Sequence, residues 1–366
     1  MIDETRLHEL LTQLIDIYSP SGKEEEIVDF LATYLERNGL APERQPVDGR
    51  RANLVVAARG AQPTLGVIAH VDTVPAYDLD DYASRLEGDL VCGLGAADMK
   101  GGLAAMVEAF VASSHTRSLP ATAALCLVVG EEEYGDGAEQ LVEELRFPWA
   151  LVGEPTDLTP CLAHDGYLEI ELMTRGSRMH ASLAERGETA IAVMLSLVRA
   201  LSDHLDEHHP ELVYNIRDLY SVGSGFVVPE QCEASIDIHL PPGTGTAAVV
   251  AELEQIADDI RGQSSAVELE LRVETVYAGF DLPESGPLVQ ALKEVHARQG
   301  RPWQPGVFRS HSDANQLWSA GVRSVVLGPG SLRFAHAPEE SVPFDQVCAA
   351  ARIYLGVLEQ LAQRVP

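Results

Sequence analysis

The sequence predicts an α/β protein with a mostly parallel sheet flanked by helices, into which a second domain of α+β type is inserted. Two observations support this fold class. Strand-like and helix-like segments alternate at both ends of the chain, which is typical of parallel sheets. Between them, strands with alternating apolar residues accompany two long helical segments, as in a two-layer sandwich. We therefore predict a main domain formed by 1–165 and 276–366, and an inserted domain over 166–275.

The spacing of apolar residues divides the first part of the main domain into predicted helices and strands. Apolar residues recur at helical spacing in some segments, while short apolar runs rich in β-branched residues separate them. Helices are predicted over 4–18, 24–38, 101–113 and 138–145, and strands over 53–58, 64–69, 121–129 and 149–152.

The pattern changes near residue 165 and changes back near residue 282. In the inserted domain we predict strands over 167–174, 233–240 and 266–275 and helices over 189–204 and 246–261. In the last part we predict a helix over 288–298, a strand over 324–327 and a terminal helix over 344–362.

Charge and cysteine content exclude several classes of function. The net charge of −30 disfavours binding to nucleic acid or to anionic membranes. No run of 18 apolar residues occurs, and the acidic start of the chain lacks a signal-peptide pattern, so we expect a cytoplasmic location. The five cysteines are scattered and odd in number, which argues against disulfides and against a thiolate metal site.

The acidic surface is also poor in lysine, since only three of the basic residues are lysines. Two interpretations stay open. The surface suits a salt-rich cytoplasm, or a GC-rich genome has favoured arginine over lysine.

Five groups of acidic or imidazole side chains lie at predicted strand ends or in loops, where active sites of parallel sheets gather. They contain His70, Asp98, the triplet 131–133, Glu154 and His336. Each alone has an ordinary explanation, such as a turn histidine, a helix-capping aspartate or a solvated acidic loop. The glycine-rich stretch before Asp98 also approaches a dinucleotide-binding loop, but the aspartate replaces its third glycine. Together they offer oxygen and nitrogen ligands that suit zinc, cobalt or manganese.

In order and local context, these groups resemble the family of dizinc aminoacylases, carboxypeptidases and deacylases, which includes acetylornithine deacetylase, succinyl-diaminopimelate desuccinylase and the glutamate carboxypeptidases. The resemblance runs from about residue 5 to the C-terminus. It implies a zinc-peptidase-like catalytic domain with an inserted lid and dimerisation domain. It also implies a homodimer that hydrolyses an amide bond in a small N-acyl amino acid or a short peptide.

The resemblance implies roles for the residues that match the family motifs. His70, Asp98 and Glu154 match the ligands of one zinc, and Asp98, Glu133 and His336 match those of the other. Asp72 matches the residue that orients the first histidine, and Glu132 matches the general base. The run of glutamates leaves the register open, because a shift by one residue makes Glu131 the base and Glu132 the ligand.

The resemblance also implies substrate contacts. His180 matches a histidine that reaches the active site of the partner subunit and stabilises the oxyanion, and Asn215 matches an asparagine that contacts substrate. Gly328 and Gly330 resemble a backbone wall for the substrate carboxylate, and Arg309 is a further candidate to pair with that carboxylate.

Two departures limit the prediction of the substrate. His239 replaces an arginine of the family pattern, and His311 is bulkier than the residue usual at its position. The pair His204 and His208 has helical spacing but lacks the glutamate of a His-Glu-x-x-His motif, so we interpret it as a solvated helix end.

The leading prediction is a metal-dependent deacylase that resembles acetylornithine deacetylase. A dipeptidase or carboxypeptidase of the same chemistry is the first alternative. A homologue that only binds an amino acid, and a nicotinamide-dependent oxidoreductase, are alternatives from other classes.

Overall fold

The computed structural model describes residues 1–58, 60, 62–79, 82–116, 122–183, 189–222, 225–264 and 266–363. The chain forms two compact units. The main unit comprises Met1–Ala163, Leu282–Phe308 and Ser312–Pro366, and the inserted unit comprises His164–Asp281 with Arg309–His311. The sequence had suggested 166–275 for the insertion, so this unit begins slightly earlier, ends later and includes a short third segment.

The helices, in chain order, are α1 (Glu4–Asp16), α2 (Glu25–Arg37), α3 (Gly101–Thr116), α4 (Asp136–Glu144), α5 (Ala190–His208), α6 (Thr246–Gln263), α7 (Pro287–Arg298), α8 (Asp313–Ser319) and α9 (Phe344–Gln363). Ala96–Lys100 and Ala181–Leu183 form single helical turns. None of the described helices is long and apolar enough to span a membrane.

The strands are β1 (Glu43–Pro46), β2 (Ala52–Ala57), β3 (Leu65–His70), β4 (Arg85–Glu87), β5 (Leu90–Cys92), β6 (Ala123–Val128), β7 (Trp149–Val152), β8 (Cys161–His164), β9 (Gly166–Arg175), β10 (Met179–His180), β11 (Val213–Tyr220), β12 (Val227–Val228), β13 (Gln231–Leu240), β14 (Glu268–Tyr277), β15 (Phe280–Asp281), β16 (Gly306–Phe308), β17 (Arg323–Val326) and β18 (Ser341–Pro343). Residue 121, where we predicted a strand to begin, lies outside the described residues.

The large sheet of the main unit has the order β1-β2-β6-β3-β7-β17-β8, and β16 also pairs with β8. Strands β6, β3, β7 and β17 are parallel, whereas near one edge β2 runs antiparallel to both of its neighbours, β6 and β1. Every residue of β3, β6 and β7 is buried. Their nearly continuous apolar sequence follows from this, because a parallel sheet is covered by helices on both faces.

The order of the central strands positions the functional residues. Strand β3 lies between β6 and β7, and all three end at the same edge of the sheet because they are parallel. His70 is the last residue of β3, the triplet 131–133 follows β6, and Glu154 follows β7. The edge where parallel strands end is therefore where these side chains gather.

The inserted unit contains a four-stranded antiparallel sheet of order β11-β13-β9-β14. Buried and half-exposed residues alternate along β9 and β13, as expected where one face of a sheet packs on a core. The buried residues of these strands form one apolar core with α5 and α6. The backbones of Gly166 and Gly279 approach so closely that a Cβ on Gly166 would lie 2.5 Å from the Gly279 nitrogen.

The predicted fold class, an α/β sheet domain with an inserted α+β domain, is confirmed by this architecture. The short strands β10, β12 and β15 of the inserted unit were not predicted, and neither was one long strand of its four-stranded sheet. Strand β11 is an edge strand with mostly exposed residues, including Asn215, Arg217 and Asp218. It therefore lacks the apolar alternation that identifies a strand in a sequence.

Candidate metal centre

Asp98 lies close to three side chains from other parts of the main unit, those of His70, Glu132 and His336. One ligand atom from each of His70, Asp98 and Glu132 lies within 4.8 Å of the others. His70 Nε2 is 3.4 Å from Asp98 Oδ1, and His336 Nε2 is 3.5 Å from Asp98 Oδ2. His336 Nε2 is also 2.9 Å from Glu132 Oε2. Asp98 thus presents a different carboxylate oxygen to each histidine, which is the arrangement that a bridging ligand requires.

His70 has its tautomer set by the backbone. Its Nδ1 lies 3.0 Å from the carbonyl oxygen of Asp72. A carbonyl oxygen only accepts hydrogen bonds, so Nδ1 carries a proton and Nε2 is the ring nitrogen that faces the centre. Three carboxylates surround Nε2, with Glu154 Oε1 at 3.8 Å and Glu131 Oε2 at 4.0 Å in addition to Asp98. A cation satisfies such a set of acceptors.

The acidic side chains of the centre are buried and crowded. Glu154 Oε1 is buried and has no hydrogen-bond partner among the described residues. Burial raises the pKa of Glu154 well above its ordinary value, and the charge of Asp98 raises it further. Burial likewise raises the pKa of Glu132 to about 8. A bound cation relieves both the desolvation and the mutual repulsion of such carboxylates, so the donor set fits divalent metal ions.

Asp72 connects His70 to the acidic loop. Its carboxylate accepts hydrogen bonds from the backbone nitrogens of Glu131 and Glu132, at 3.2 and 3.0 Å, and from Ser21 Oγ at 2.7 Å. His70 Nδ1 lies 3.5 Å from Asp72 Oδ1. The aspartate therefore fixes the backbone from which two glutamate side chains project, besides orienting the histidine.

The structure places the three consecutive glutamates differently from the register that we favoured. Only 6% of the Glu132 side chain is exposed, and it points to His336 and the centre. Glu133 is exposed and hydrogen bonds to Tyr134, which raises the pKa of that tyrosine. Glu133 therefore lies outside the group in which we expected it as a ligand, whereas Glu132, expected as a base, lies within it beside His336. The next carboxylate, Glu131, is buried beside His70.

Glu340 holds the turn that carries Asp98, a role that we did not predict. Its buried carboxylate accepts hydrogen bonds from the backbone nitrogens of Gly95, Ala97 and Asp98, at 2.8, 2.9 and 2.9 Å. The peptide bond between Asp98 and Met99 is cis. The sequence offered one signal, an acidic pair three and four residues after His336, but nothing in it showed that the second carboxylate turns back onto the backbone.

Asp313 is a further buried acid to which the sequence analysis gave no role. It begins α8, and neither of its carboxylate oxygens has a hydrogen-bond partner among the described residues. Burial raises its pKa well above the ordinary value, and the charge of Glu131 adds to the effect. The Ser-Asp-Ala motif around it was visible in the sequence, but its position near Glu131 was not.

Gly328 and Gly330 do not offer the free backbone donors that a carboxylate-binding wall needs. The Gly328 nitrogen donates to Thr156 Oγ1 at 3.1 Å, and the Gly330 nitrogen donates to Gln346 Oε1 at 2.9 Å. A Cβ on Gly328 would lie 2.1 Å from the carbonyl oxygen of Gly153. The glycine is thus required for close packing against the segment that carries Glu154.

Three of the predicted substrate contacts belong to the inserted unit. His180 is exposed at the end of β10, and its Nδ1 accepts hydrogen bonds from Ser182 Oγ at 2.8 Å and from the Ser182 nitrogen at 3.3 Å. A backbone nitrogen can only donate, so Nδ1 is unprotonated and Nε2 carries the proton. Asn215, on β11, and Arg309 are both exposed. Burial raises the pKa of Asp165, and the positive charge of Arg309 partly offsets this rise.

Comparison with known proteins identifies the family. The sequence model of the peptidase family M20/M25/M40 matches residues 66–360. The chain belongs to this family. It is a metal-dependent hydrolase, and the recognition based on the five sequence motifs is confirmed.

Individual members of the M20 family are similar to the chain over nearly their whole length. The acetylornithine deacetylase of Myxococcus xanthus is 28% identical, with 93% of each chain covered. A probable carboxypeptidase of Aspergillus terreus is also 28% identical, over 94% of this chain and 84% of the relative. A tripeptidase structure from Staphylococcus aureus has the same fold, with a TM-score of 0.81, 22% identity and 100% of both chains covered.

Proposed function

We propose that this M20 hydrolase removes the acyl group from a small N-acyl amino acid, with two zinc ions bound at the centre around Asp98. The observation that carries the proposal is the contact of His70 and His336 with opposite oxygens of one carboxylate. The substrate class is supported by the similarity to an acetylornithine deacetylase over 93% of the chain.

The geometry supports one set of ligands for each ion. His70, Asp98 and Glu154 would hold the first ion, and Asp98, Glu132 and His336 the second. When bound, such a pair of ions lowers the pKa of a water and polarises the amide carbonyl. Because Glu132 faces His336, it replaces Glu133 in the set that the sequence had suggested.

Glu131 is the residue that we assign as general base. It is the remaining buried carboxylate of the acidic loop, and its Oε2 lies 4.0 Å from His70 Nε2. Its carboxylate takes the proton of the attacking water and then donates it to the amine that leaves. Asp72 holds the Glu131 backbone and so positions this transfer.

The substrate contacts of the inserted unit are part of the proposal. The proton on His180 Nε2 gives this residue the donor that an oxyanion requires. Asn215 and Arg309 supply an amide and a cation for the polar groups of an amino acid. We assign His180 to the active site of a partner subunit in a homodimer, as the family resemblance implies.

A feature of β11 supports the homodimer. Strand β11 lies at the edge of its sheet. It carries four exposed large apolar residues, Val213, Ile216, Leu219 and Tyr220. Exposed apolar edge strands are ordinarily covered by another chain. Ultracentrifugation should give a dimer mass, and Ile216→Lys should shift the mass toward the monomer. A monomeric wild-type protein would remove this part of the proposal.

The function is tested with a panel of N-acetyl amino acids, N-succinyl amino acids and dipeptides, each assayed with zinc, cobalt and manganese. We expect the highest kcat/KM on an N-acyl amino acid and loss of activity with a chelator. A preference for dipeptides would replace the deacylase with a peptidase.

A carboxypeptidase is the second candidate, because the relative from Aspergillus terreus has that name at the same identity. Cleavage of N-blocked dipeptides at the C-terminal residue would favour it. A protein that binds amino acids without turnover, and holds less than about one metal per chain, would contradict both assignments.

A further inference from the structure

A second group of metal-ligand side chains lies in the inserted unit, at the carboxyl end of α5. One ligand atom from each of His204, His209 and Glu252 lies within 4.8 Å of the others. The Nε2 atoms of the two histidines are 2.9 and 2.7 Å from the same oxygen, Glu252 Oε2. From this geometry we infer a zinc site formed by His204, His209 and Glu252, separate from the centre around Asp98.

The chemistry of the three ligands suits zinc. Two imidazoles and one glutamate form a recognised zinc ligand set, in which water takes the fourth position. Zinc lies about 2.0–2.1 Å from such atoms, so neighbouring ligands of a tetrahedral site are about 3.3 Å apart. The Nε2 atoms of His204 and His209 already lie slightly closer than this tetrahedral spacing to Glu252 Oε2. An ion can therefore replace the protons between them with only a small outward movement of the side chains.

The surroundings of the group also favour a cation. His209 directly follows α5 as its C-terminal capping residue, and its backbone nitrogen donates to the carbonyl of Leu205. The end of a helix carries partial negative charge from its last carbonyl groups. The other ring nitrogen of His209, Nδ1, lies 3.7 Å from Glu211 Oε1. A carboxylate near the far nitrogen of a ligand histidine orients the ring and raises its basicity.

The group joins two helices of one core. His204 and His209 come from the end of α5, whereas Glu252 lies on α6, and these helices pack together in the inserted unit. The histidine side chains are only 21% and 18% exposed. Zinc bound here would tie the end of α5 to α6 and stabilise this unit. The sequence analysis had interpreted His204 with His208 as a solvated helix end, and among the described residues His208 contacts the His204 carbonyl and ring rather than Glu252.

The test measures the zinc content of the full-length wild type and of full-length variants after equilibrium dialysis against zinc. We expect the double variant His204→Gln with His209→Gln to hold one zinc per chain fewer than the wild type. The difference is independent of how many ions the main unit holds, so the result stands whether or not the proposed function is correct. Circular dichroism and amide hydrolysis check that the variant is folded.

His208→Gln is the matched control, because it changes the neighbouring histidine on the same helix end. It should keep the wild-type zinc content. Glu252→Gln preserves the shape of the side chain but removes its charge, and it should weaken zinc binding by about tenfold or more. Equal zinc content in the double variant and the wild type, or loss of the ion in His208→Gln, would overturn the site.

Discussion

Three consecutive glutamates follow β6, and the direction of each side chain determines what it can do. Glu131 and Glu132 are directed inward because their backbone nitrogens are both bound by Asp72. Glu133 is directed to solvent. The sequence predicted a functional role for the triplet but left its register open, since a turn gives no fixed alternation of side chains.

Substitution of each glutamate by glutamine separates the roles. Glu131→Gln should keep the metal content of the wild type and reduce kcat by about a hundredfold to ten-thousandfold, because only proton transfer is lost. Glu132→Gln should lose one metal per chain. Metal analysis and steady-state kinetics on the same preparations measure both effects.

Glu133→Gln is the matched control for this series and should resemble the wild type in both measurements. Loss of a metal in Glu133→Gln, together with full activity in Glu131→Gln, would restore the register that we first favoured.

His164 gives the protein a specific sensitivity to acid. It is fully buried, stacks on Phe280, and its Nδ1 donates to the carbonyl of Asp165. Burial lowers its pKa to about 3, whereas in the unfolded chain the pKa is about 6.5. As the pH falls below about 6.5, the unfolded chain gains a proton that the folded chain does not. The free energy of unfolding therefore falls between these two pH values.

His164→Asn removes this titration while keeping a donor for the Asp165 carbonyl. Urea unfolding in chelator between about pH 7 and pH 5 should give a smaller loss of stability than in the wild type, by up to about 1.4 kcal/mol per pH unit. The exposed His115 provides the control, and His115→Asn should leave the slope unchanged. Parallel curves for the wild type and His164→Asn would contradict the prediction.

At the scale of elements, the contact between α3 and the end of β7 controls the spacing of two proposed metal ligands, Asp98 and Glu154. A Cβ on Gly102 would lie 2.1 Å from the carbonyl oxygen of Gly153. Asp98 precedes this helix and Glu154 follows that glycine. The two ligands can approach each other only because α3 begins without a side chain at this point.

Gly102→Ala should therefore destabilise the protein by about 1–3 kcal/mol, the usual cost of overpacking, and weaken metal binding. Denaturant unfolding and metal titration measure the two effects. Gly262→Ala in α6 is the control, since nothing lies within 4 Å of its added Cβ. That change should stabilise the protein by about 0.5–1 kcal/mol. Equal effects of the two substitutions would contradict the argument.

Most elements of the main unit could be predicted because their sequences are simple. Strands β3, β6 and β7 are short apolar runs, and each is at or close to a charged or imidazole residue at its end: β3 ends at His70, and Glu131 and Glu154 follow β6 and β7 within three residues. The motifs therefore identified the right edge of the sheet. They could not show that Glu340 folds back onto the Asp98 turn or that the Gly328 and Gly330 nitrogens are engaged, because these contacts depend on distant loops.

At the scale of the whole molecule, charge is the dominant feature. With 56 acidic and 26 basic residues, the folded chain carries a net charge of −30. Repulsion between like charges destabilises the folded state, in which the charges lie close together. Salt screens this repulsion, with a Debye length of about 8 Å at 0.15 M. The urea concentration at the midpoint of unfolding should therefore rise with added KCl.

The same titration with KCl distinguishes the two interpretations of the acidic surface. Adaptation to a salt-rich cytoplasm requires activity to increase with KCl. If activity is highest in dilute buffer, the composition of the genome is the better explanation. A midpoint of unfolding that does not change with salt would show that surface repulsion contributes little.

The chain leaves the main unit and returns to it at neighbouring points of its backbone. The Leu282 nitrogen donates to the Leu162 carbonyl oxygen at 2.9 Å, on either side of the inserted segment. An insertion with adjacent ends can be exchanged without moving the strands that support it. Recombination at this junction would therefore exchange the segment that carries the proposed substrate contacts His180 and Asn215, while the strands that carry the proposed metal ligands are inherited unchanged.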